Sequence, residues 1–297
     1  MHDEELEELT NLLNLCVKKN NGSPFKRVLK QPIRLLWSKL LEKNCLATQK
    51  TKNMRARLFW GEDMNVVFPE IVSCFLYRYG FFEPDLTTIV MTHLKPGQTF
   101  FDVGTHFGYY SMLASRIVGN EGKVHGFEPT MGTYKIVDSN LSSKSNVTLN
   151  NVAAWSEETT LNFTDYGVQW SAFNSLYSAK LDNSIVETMS PTDYEVEAIS
   201  IDKYVEESGE RPDFIKIDAE NAEYDILTGM TNTLRDIRPI ITLEVGDVNE
   251  GDFKNSSACV HFLTDHSYKV LELRDGLLSD HKIDKKYSHT NLLFIPE

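Results

Sequence analysis

Cysteine is scarce here and never paired: Cys16, Cys45, Cys74 and Cys259 stand apart, without C-x-x-C spacing. That argues against a zinc ribbon or a redox motif and predicts reduced thiols, as in a cytoplasmic protein. No apolar run approaches the roughly 20 residues of a membrane span, and the acidic opening MHDEELEEL lacks a signal-peptide pattern. Positive charge is in deficit, with 30 Lys and Arg against 43 Asp and Glu for a net charge of −13. With no broad basic stripe to offset it, nucleic acid is not expected as a partner. The dinucleotide fingerprint G-x-G-x-x-G is missing as well, and none of the 12 tyrosines has a lysine four residues later. Those two gaps speak against a dehydrogenase.

What the chain does contain is centred on Thr99 to Pro129, TFFDVGTHFGYYSMLASRIVGNEGKVHGFEP. Thr99 to Val103 is a short apolar, β-friendly run, Gly104 to Gly108 a turn, and Tyr109 to Val118 has apolar residues at helical spacing. Lys123 to Phe127 is a second strand, closed by Glu128 and Pro129. This is the first half of a nucleotide-binding βαβ unit. Gly104 and Gly108 permit a tight turn and close approach of a ligand, and the helix N-terminus aims free N–H groups over that turn. Glu128 stands about 20 residues on, where an acid accepts ribose hydroxyls. Asp102, two residues before the first glycine, would repel a pyrophosphate but suits the cationic amino-acid end of S-adenosylmethionine.

At 297 residues and 41% hydrophobic content, one sizeable core with an appendage is expected. Residues 1–60 read as a helical N-terminal extension and residues 61–297 as the main domain. Glu4 to Val17 is amphipathic. Phe25 to Leu41 is a second helical segment, broken near Pro32 and basic through Arg27, Lys30, Arg34 and Lys39. Such a segment packs on its own domain, makes a homo-oligomer contact, or lies on an anionic surface. Ala56 to Glu83 is dense in aromatics and reads as a hairpin and a helix from Pro69. Leu86 to Leu94 is a helix, Val147 to Leu149 a strand, and Ala153 and Ala154 are small enough to border an adenine beside Trp155. Thr160 to Phe163 is an added strand. The irregular stretch 165–193, with Trp170, Phe173, Asn174, Ser175 and Tyr177, is a candidate substrate loop.

Further strands follow at Val196 to Ile201, Pro212 to Ile217 and Ile240 to Leu243. Ligands of open parallel sheets lie at the carboxyl ends of the strands, so Asp102, Glu128, Asp218 and Glu244 are expected to converge on one edge. A helix at Ser256 to Asp265 and strands at Tyr268 to Leu273 and Asn291 to Ile295 complete the sheet, the last pair antiparallel.

The phrases FEPDL, LKPGQTFFDVGTHFGYYS, GFEP, SIDKYV, PDFIKIDAENAEYDIL, IITLEV and NLLFIP, in that order, resemble the FkbM-family methyltransferases from about Met64 to the C-terminus. The family pattern often has Ala-Asn where this chain has Thr105-His106, and Gly in place of Asn221. The resemblance implies an α/β fold: a Rossmann-like class I methyltransferase sheet, mostly parallel, with an antiparallel last strand. It also implies methyl transfer from S-adenosylmethionine, usually to a hydroxyl of a small natural product or glycan. In that reading Gly104, Thr105 and His106 contact the methionine end, Glu128 the ribose, Ala153 and Ala154 the adenine neighbourhood, and Asp218 the methionine amine. The proton acceptor is expected to be Glu220, then His106, then Asp218. Similarity to catechol-type methyltransferases raises Mg²⁺ on Asp218 and Glu244 as a less favoured option. A catalytically silent S-adenosylmethionine-binding protein and an N-methyltransferase are the alternatives.

Overall fold

The computed structural model describes residues 3–21, 32–173, 191–247, 255–274 and 276–297. Leucine spacing in the opening residues produces helix α1 (Asp3–Asn20), and α2 (Pro32–Thr48) follows. A hairpin, β1 (Lys52–Arg57) and β2 (Asp63–Phe68), leads to α3 (Ile71–Tyr79) and α4 (Pro84–His93). The expected βαβ unit is then present as β3 (Thr99–Val103), α5 (Tyr109–Val118) and β4 (Lys123–Phe127), continued by α6 (Met131–Leu141) and β5 (Val147–Asn150). Next come β6 (Ala153–Trp155), β7 (Thr159–Asp165), a 3₁₀ segment Val168–Phe173, and β8 (Thr192–Ser200). The second half runs α7 (Ile201–Ser208), β9 (Phe214–Ile217), α8 (Glu223–Thr228), α9 (Thr231–Asp236) and β10 (Ile240–Val245). It closes with α10 (Ser256–Asp265), β11 (Tyr268–Arg274), β12 (Leu277–Asp280) and β13 (Thr290–Pro296). Asn174, Ser175 and Tyr177 of the candidate substrate loop, and Arg27 and Lys30 of the basic segment, lie outside the described residues.

The main sheet has eight strands in the order β12-β11-β13-β10-β9-β3-β4-β5. From β10 to β5 every pairing is parallel, and β13 enters antiparallel between β10 and β11. Parallel strands are covered on both faces, which is why β9 is buried at all four positions. Side-chain alternation divides the core. Phe100 and Phe214 face a layer holding α1, α4 and α5, whereas Phe101, Ile215 and Ile241 face α7 to α10. Leu9 and Leu13 of α1 belong to the first layer, so the N-terminal helix packs on the sheet.

Several expectations are corrected. The strands at 160–163 and 196–201 do not extend the main sheet; with β6 they form a separate three-stranded sheet, β6-β8-β7. The helix expected from Pro69 begins at Ile71, because Glu70 caps it through the N–H groups of Val72 and Ser73. The strand expected to stop before Glu244 includes it and ends at Val245, since pairing with β13 continues through Glu244 and Asn291.

Candidate functional site

At the carboxyl edge of the sheet, the turn after β3 is fixed by contact with its neighbour. Gly104 has φ 74°, and a Cβ there would lie 1.9 Å from the Asp218 carbonyl oxygen. Only glycine lets the two strand ends meet so closely. The N–H groups of Gly104 and Thr105 donate to the Phe127 carbonyl at 3.2 and 3.1 Å, tying the turn to β4. Gly108 (φ 93°) then starts α5, where a Cβ would sit 2.8 Å from Val137 of α6.

Glu128, at the tip of β4, is buried and curled back onto this turn. Its Oε2 accepts the His106 N–H at 3.1 Å, and Oε1 accepts the Thr130 N–H at 3.1 Å and the Thr130 hydroxyl. Burial pushes its carboxyl up to about 7 although those hydrogen bonds pull downward. His106 stacks on Phe107 at 4.0 Å between centroids, and its Nε2 is 2.7 Å from the Ser171 hydroxyl. Burial holds its imidazole below the ordinary histidine value.

A second group of charges follows from the alternation of strand faces. Asp102, Lys216, Glu244 and Asn291 all point to the α4–α5 side; Asp102 pairs in register with Lys216, and Glu244 with Asn291. The buried Lys216 ammonium lies 3.4 Å from Asp102 Oδ1, 3.3 Å from Asp218 Oδ2 and 3.2 Å from the Gly104 carbonyl, under the Tyr110 ring. Burial disfavours its charge, but Asp218, Asp102, Glu83 and Glu244 more than offset that and hold it above the lysine range. Asp102 Oδ2 accepts from the Ser111 and Thr105 hydroxyls at 2.7 and 2.9 Å.

Asp102 is buried at the end of β3. Its Oδ2 organises the turn through the Thr105 and Ser111 hydroxyls, while Oδ1 has no hydrogen-bond donor and meets the Lys216 ammonium at 3.4 Å. Ala153 and Ala154 are buried on opposite faces of β6, each packed in a core cluster.

Asp218, Glu220, Glu223 and Glu244 crowd the ends of β9 and β10. Burial alone would raise Asp218, but Lys216 and a hydrogen bond from Glu244 hold it below the carboxylate range. Burial and Asp218 push Glu244 well up. Glu244 Oε1 accepts from His289 Nε2 at 3.0 Å, a bond that pushes this histidine up to about 9. Glu220 (φ 49°) and Asn221 (φ 77°) both occupy left-handed backbone, which suits the Gly that the resemblance places at 221. Burial, then Glu244 and Asp218, raise the Glu220 carboxyl well above its usual range. Glu223 accepts the Ala219 N–H at 2.9 Å and is pushed by burial up to about 7.

Two participants carried no role in the sequence. Glu83 accepts from the Tyr110 hydroxyl and the Asn291 amide, both at 2.9 Å, while burial and Asp218 raise its carboxyl. Its ligand oxygens, those of Glu244 and a His289 nitrogen all lie within 4.8 Å of one another. A hard cation would thus meet Glu83, Glu244 and His289 together; of the expected pair, Glu244 belongs to this group and Asp218 does not. Glu83 lies in the phrase FEPDL, so a signal existed; His289 lies in none of the quoted phrases.

The Methyltransferase FkbM domain family matches residues 102–272, a span holding every strand tip described above. No curated protein matches the chain. Among solved structures it is similar to an FkbM methyltransferase from Methylobacillus flagellatus, at 11% identity and TM-score 0.43 over 98% of this chain and 60% of that one. A Thermotoga maritima S-adenosylmethionine-dependent O-methyltransferase gives 13% identity and TM-score 0.39, over 84% and 80% of the two chains. Aeropyrum pernix fibrillarin with natively bound S-adenosyl-L-methionine gives 13% and 0.38, over 68% of each. The chain spans about 60% of the length of the Methylobacillus protein. With more than half of its length matched, the chain belongs to the FkbM methyltransferase domain family.

Proposed function

We propose that this protein transfers a methyl group from S-adenosylmethionine to a hydroxyl of a small natural product or sugar. The observation that carries the reading is the pair of acidic stations at the carboxyl edge. Glu128 is anchored by the His106 and Thr130 N–H groups, and Asp218 is kept ionised by Lys216. The donor set fits the cofactor: a carboxylate for ribose hydroxyls at Glu128 and a part-exposed anion for an ammonium at Asp218. When bound, S-adenosylmethionine supplies a methyl group on a sulfonium, already activated for transfer.

The chain's own tasks are then to position the acceptor oxygen and take its proton. Positioning is worth up to roughly 7–11 kcal/mol of barrier. Glu220 is the proton acceptor in this reading. Because its carboxyl is raised, it must first ionise, so turnover climbs as pH rises above the ordinary carboxylate range. Glu220→Gln should preserve cofactor-product binding, lower kcat by about 10²–10⁴ and remove that pH limb. Turnover within a few-fold of wild type would move the role to His106 or Asp218.

The decisive experiment is calorimetry with S-adenosylhomocysteine and with NAD. S-adenosylhomocysteine should bind, NAD should not, and Glu128→Ala should weaken binding by about 10- to 100-fold, the worth of hydrogen bonds to a charged group. Preference for NAD would overturn the reading. Binding without turnover on any hydroxyl or amine acceptor would leave a silent cofactor-binding protein. Loss of turnover in excess chelator, together with weaker divalent-cation binding in His289→Ala, would assign a divalent cation to Glu83, Glu244 and His289.

A further inference from the structure

Helix α2 has two unlike faces. Leu35, Ser38, Leu41 and Cys45 are buried, and Leu41 and Cys45 pack on Phe68 and Cys74. The opposite face carries Ile33, Leu36, Trp37 and Leu40 at i, i+3, i+4 and i+7, and these are 84%, 53%, 54% and 63% exposed. Four large apolar side chains in one outward row are unusual on a soluble surface and mark a contact site. Beside them, Ile33, Arg34, Trp37, Arg55, Arg57 and Tyr77 line an open cleft of about 420 Å³, with the Arg34 guanidinium 5.3 Å from the centre of the Tyr77 ring.

Charge identifies what covers this face. Ten of the chain's 30 Lys and Arg residues fall in residues 22–57, against one of its 43 Asp and Glu, Glu42. That acid is turned to Arg78. Among the described residues, Arg34, Lys39, Lys43 and Arg55 lie on or beside this face, and Asp63 is paired with Arg57. A strongly acidic protein thus presents a basic, apolar patch here, whose complement is anionic and able to accept Leu, Ile and Trp. A second copy meets neither condition, since a two-fold contact would set Arg34, Lys39 and Arg55 against themselves. Nucleic acid satisfies the charge but has no place for a row of aliphatic side chains.

We infer that α2 is a membrane-surface helix, which docks this protein on anionic phospholipid with Ile33, Leu36, Trp37 and Leu40 in the headgroup layer. A helix of 17 residues lying in the plane would run about 25 Å along the surface. Trp37 is the residue type favoured at that depth, and the flanking lysines and arginines meet lipid phosphates. No helix among the described residues is long and apolar enough to cross a membrane, so the contact is peripheral.

The test is co-sedimentation of the full chain with phosphatidylcholine vesicles and with vesicles about one-third phosphatidylserine. At low salt the anionic vesicles should retain about tenfold more protein, and roughly 0.5 M NaCl should remove most of that gain. Trp37→Ser/Leu40→Ser and Arg34→Gln/Lys39→Gln should each lower binding about tenfold. Trp37, Lys39 and Leu40 are exposed, so thermal unfolding of the Trp37/Leu40 variant and of Lys39→Gln alone should be unchanged and report that they fold. Arg34 also rests on the Tyr77 ring, so Lys39→Gln alone, lowering binding by a smaller factor, separates lost charge from lost packing. Equal retention on both vesicle types overturns the inference, as does full binding by the Trp37/Leu40 variant. Salt-sensitive binding to duplex DNA or RNA without vesicle binding would assign the patch to nucleic acid. A dimer in sedimentation that the Trp37/Leu40 variant abolishes would assign it to a second copy.

Discussion

Lys216 shows how much one buried residue can organise. It sits in the middle of β9, where the sequence FIKI otherwise reads as continuous core. Its ammonium lies between Asp102 and Asp218, so one positive charge neutralises two acids that the fold brings to adjacent strand ends. Removing it leaves Asp102 fully buried, with only the Thr105 and Ser111 hydroxyls to support its charge. Lys216→Met should therefore destabilise the protein by about 3–5 kcal/mol, as for other half-broken buried pairs. Urea unfolding measures this directly. Adding Asp102→Asn should recover part of the loss, and a cost below about 1 kcal/mol would show that water or relaxation replaces the lysine. Asp218 should also lose its preference for the ionised form, so the variant's cofactor-product binding should weaken towards acid pH.

Among the elements, α3 has the most unusual start. Its cap is Glu70, wholly buried, whose two oxygens accept the N–H groups of Val72 at 2.8 Å and Ser73 at 2.6 Å. The Ser73 hydroxyl in turn accepts the Val67 N–H at 3.1 Å and binds the helix to β2. Glu70→Ala orphans two donors where water does not reach them, and should cost about 1–3 kcal/mol. Glu70→Gln, which keeps an acceptor oxygen, should cost less. Equal unfolding midpoints for Ala and wild type would show that the cap is dispensable. Sequence reasoning placed the helix two residues early because Pro69 is a favoured first-turn residue, whereas a glutamate serving as N-cap is not a usual signal. The same limit explains the rest. Periodicity located β3, α5, β4 and α10 because their burial patterns are local. The assignment of β6, β7 and β8 to a separate sheet depends on which distant strands pair. In the site, Glu128, Asp218 and Glu244 were legible because strand tips are local features. Glu83 and His289 arrive from a helix start and from the loop before β13, and only tertiary packing brings them to Glu244.

For the whole molecule, charge reads differently at each level. The total of −13 hides the concentration of basic residues in 22–57, and it also hides a set of buried acids whose protons report on folding. Glu128 and Glu223 are raised from 4.5 to about 7, chiefly by burial. Between those values the native state holds protons that the unfolded chain has released, so stability falls as pH rises. His289, raised from 6.5 to about 9 by Glu244, acts in the same direction over the next interval. Asp218 has the opposite sign, because its carboxyl is lowered, but its contribution changes only below the ordinary carboxylate range. Buried His125, lowered from 6.5 to about 4, and His106, also lowered by burial, oppose the glutamates within their own window, because there the unfolded chain holds the extra proton. Each of the two glutamates should contribute on the order of 3 kcal/mol, fully present below about pH 4.5 and lost by about pH 7. For a chain of this size the two glutamates outweigh the opposing His125, and Tm at pH 8 should lie roughly 5 °C below that at pH 5. Glu128→Gln is neutral at every pH and should flatten the slope between about pH 4.5 and 7 while leaving the His289 interval intact. A Tm that rises through neutrality, or a slope unchanged in Glu128→Gln, would mean that these carboxyls are solvated in solution. The acidic station at the tip of β4 would then meet its ligand already ionised, and cofactor-product affinity should not vary across neutral pH. If the glutamate is instead held protonated, that affinity should strengthen as pH rises through about 7, so calorimetry at two pH values would check the same proton by an independent route.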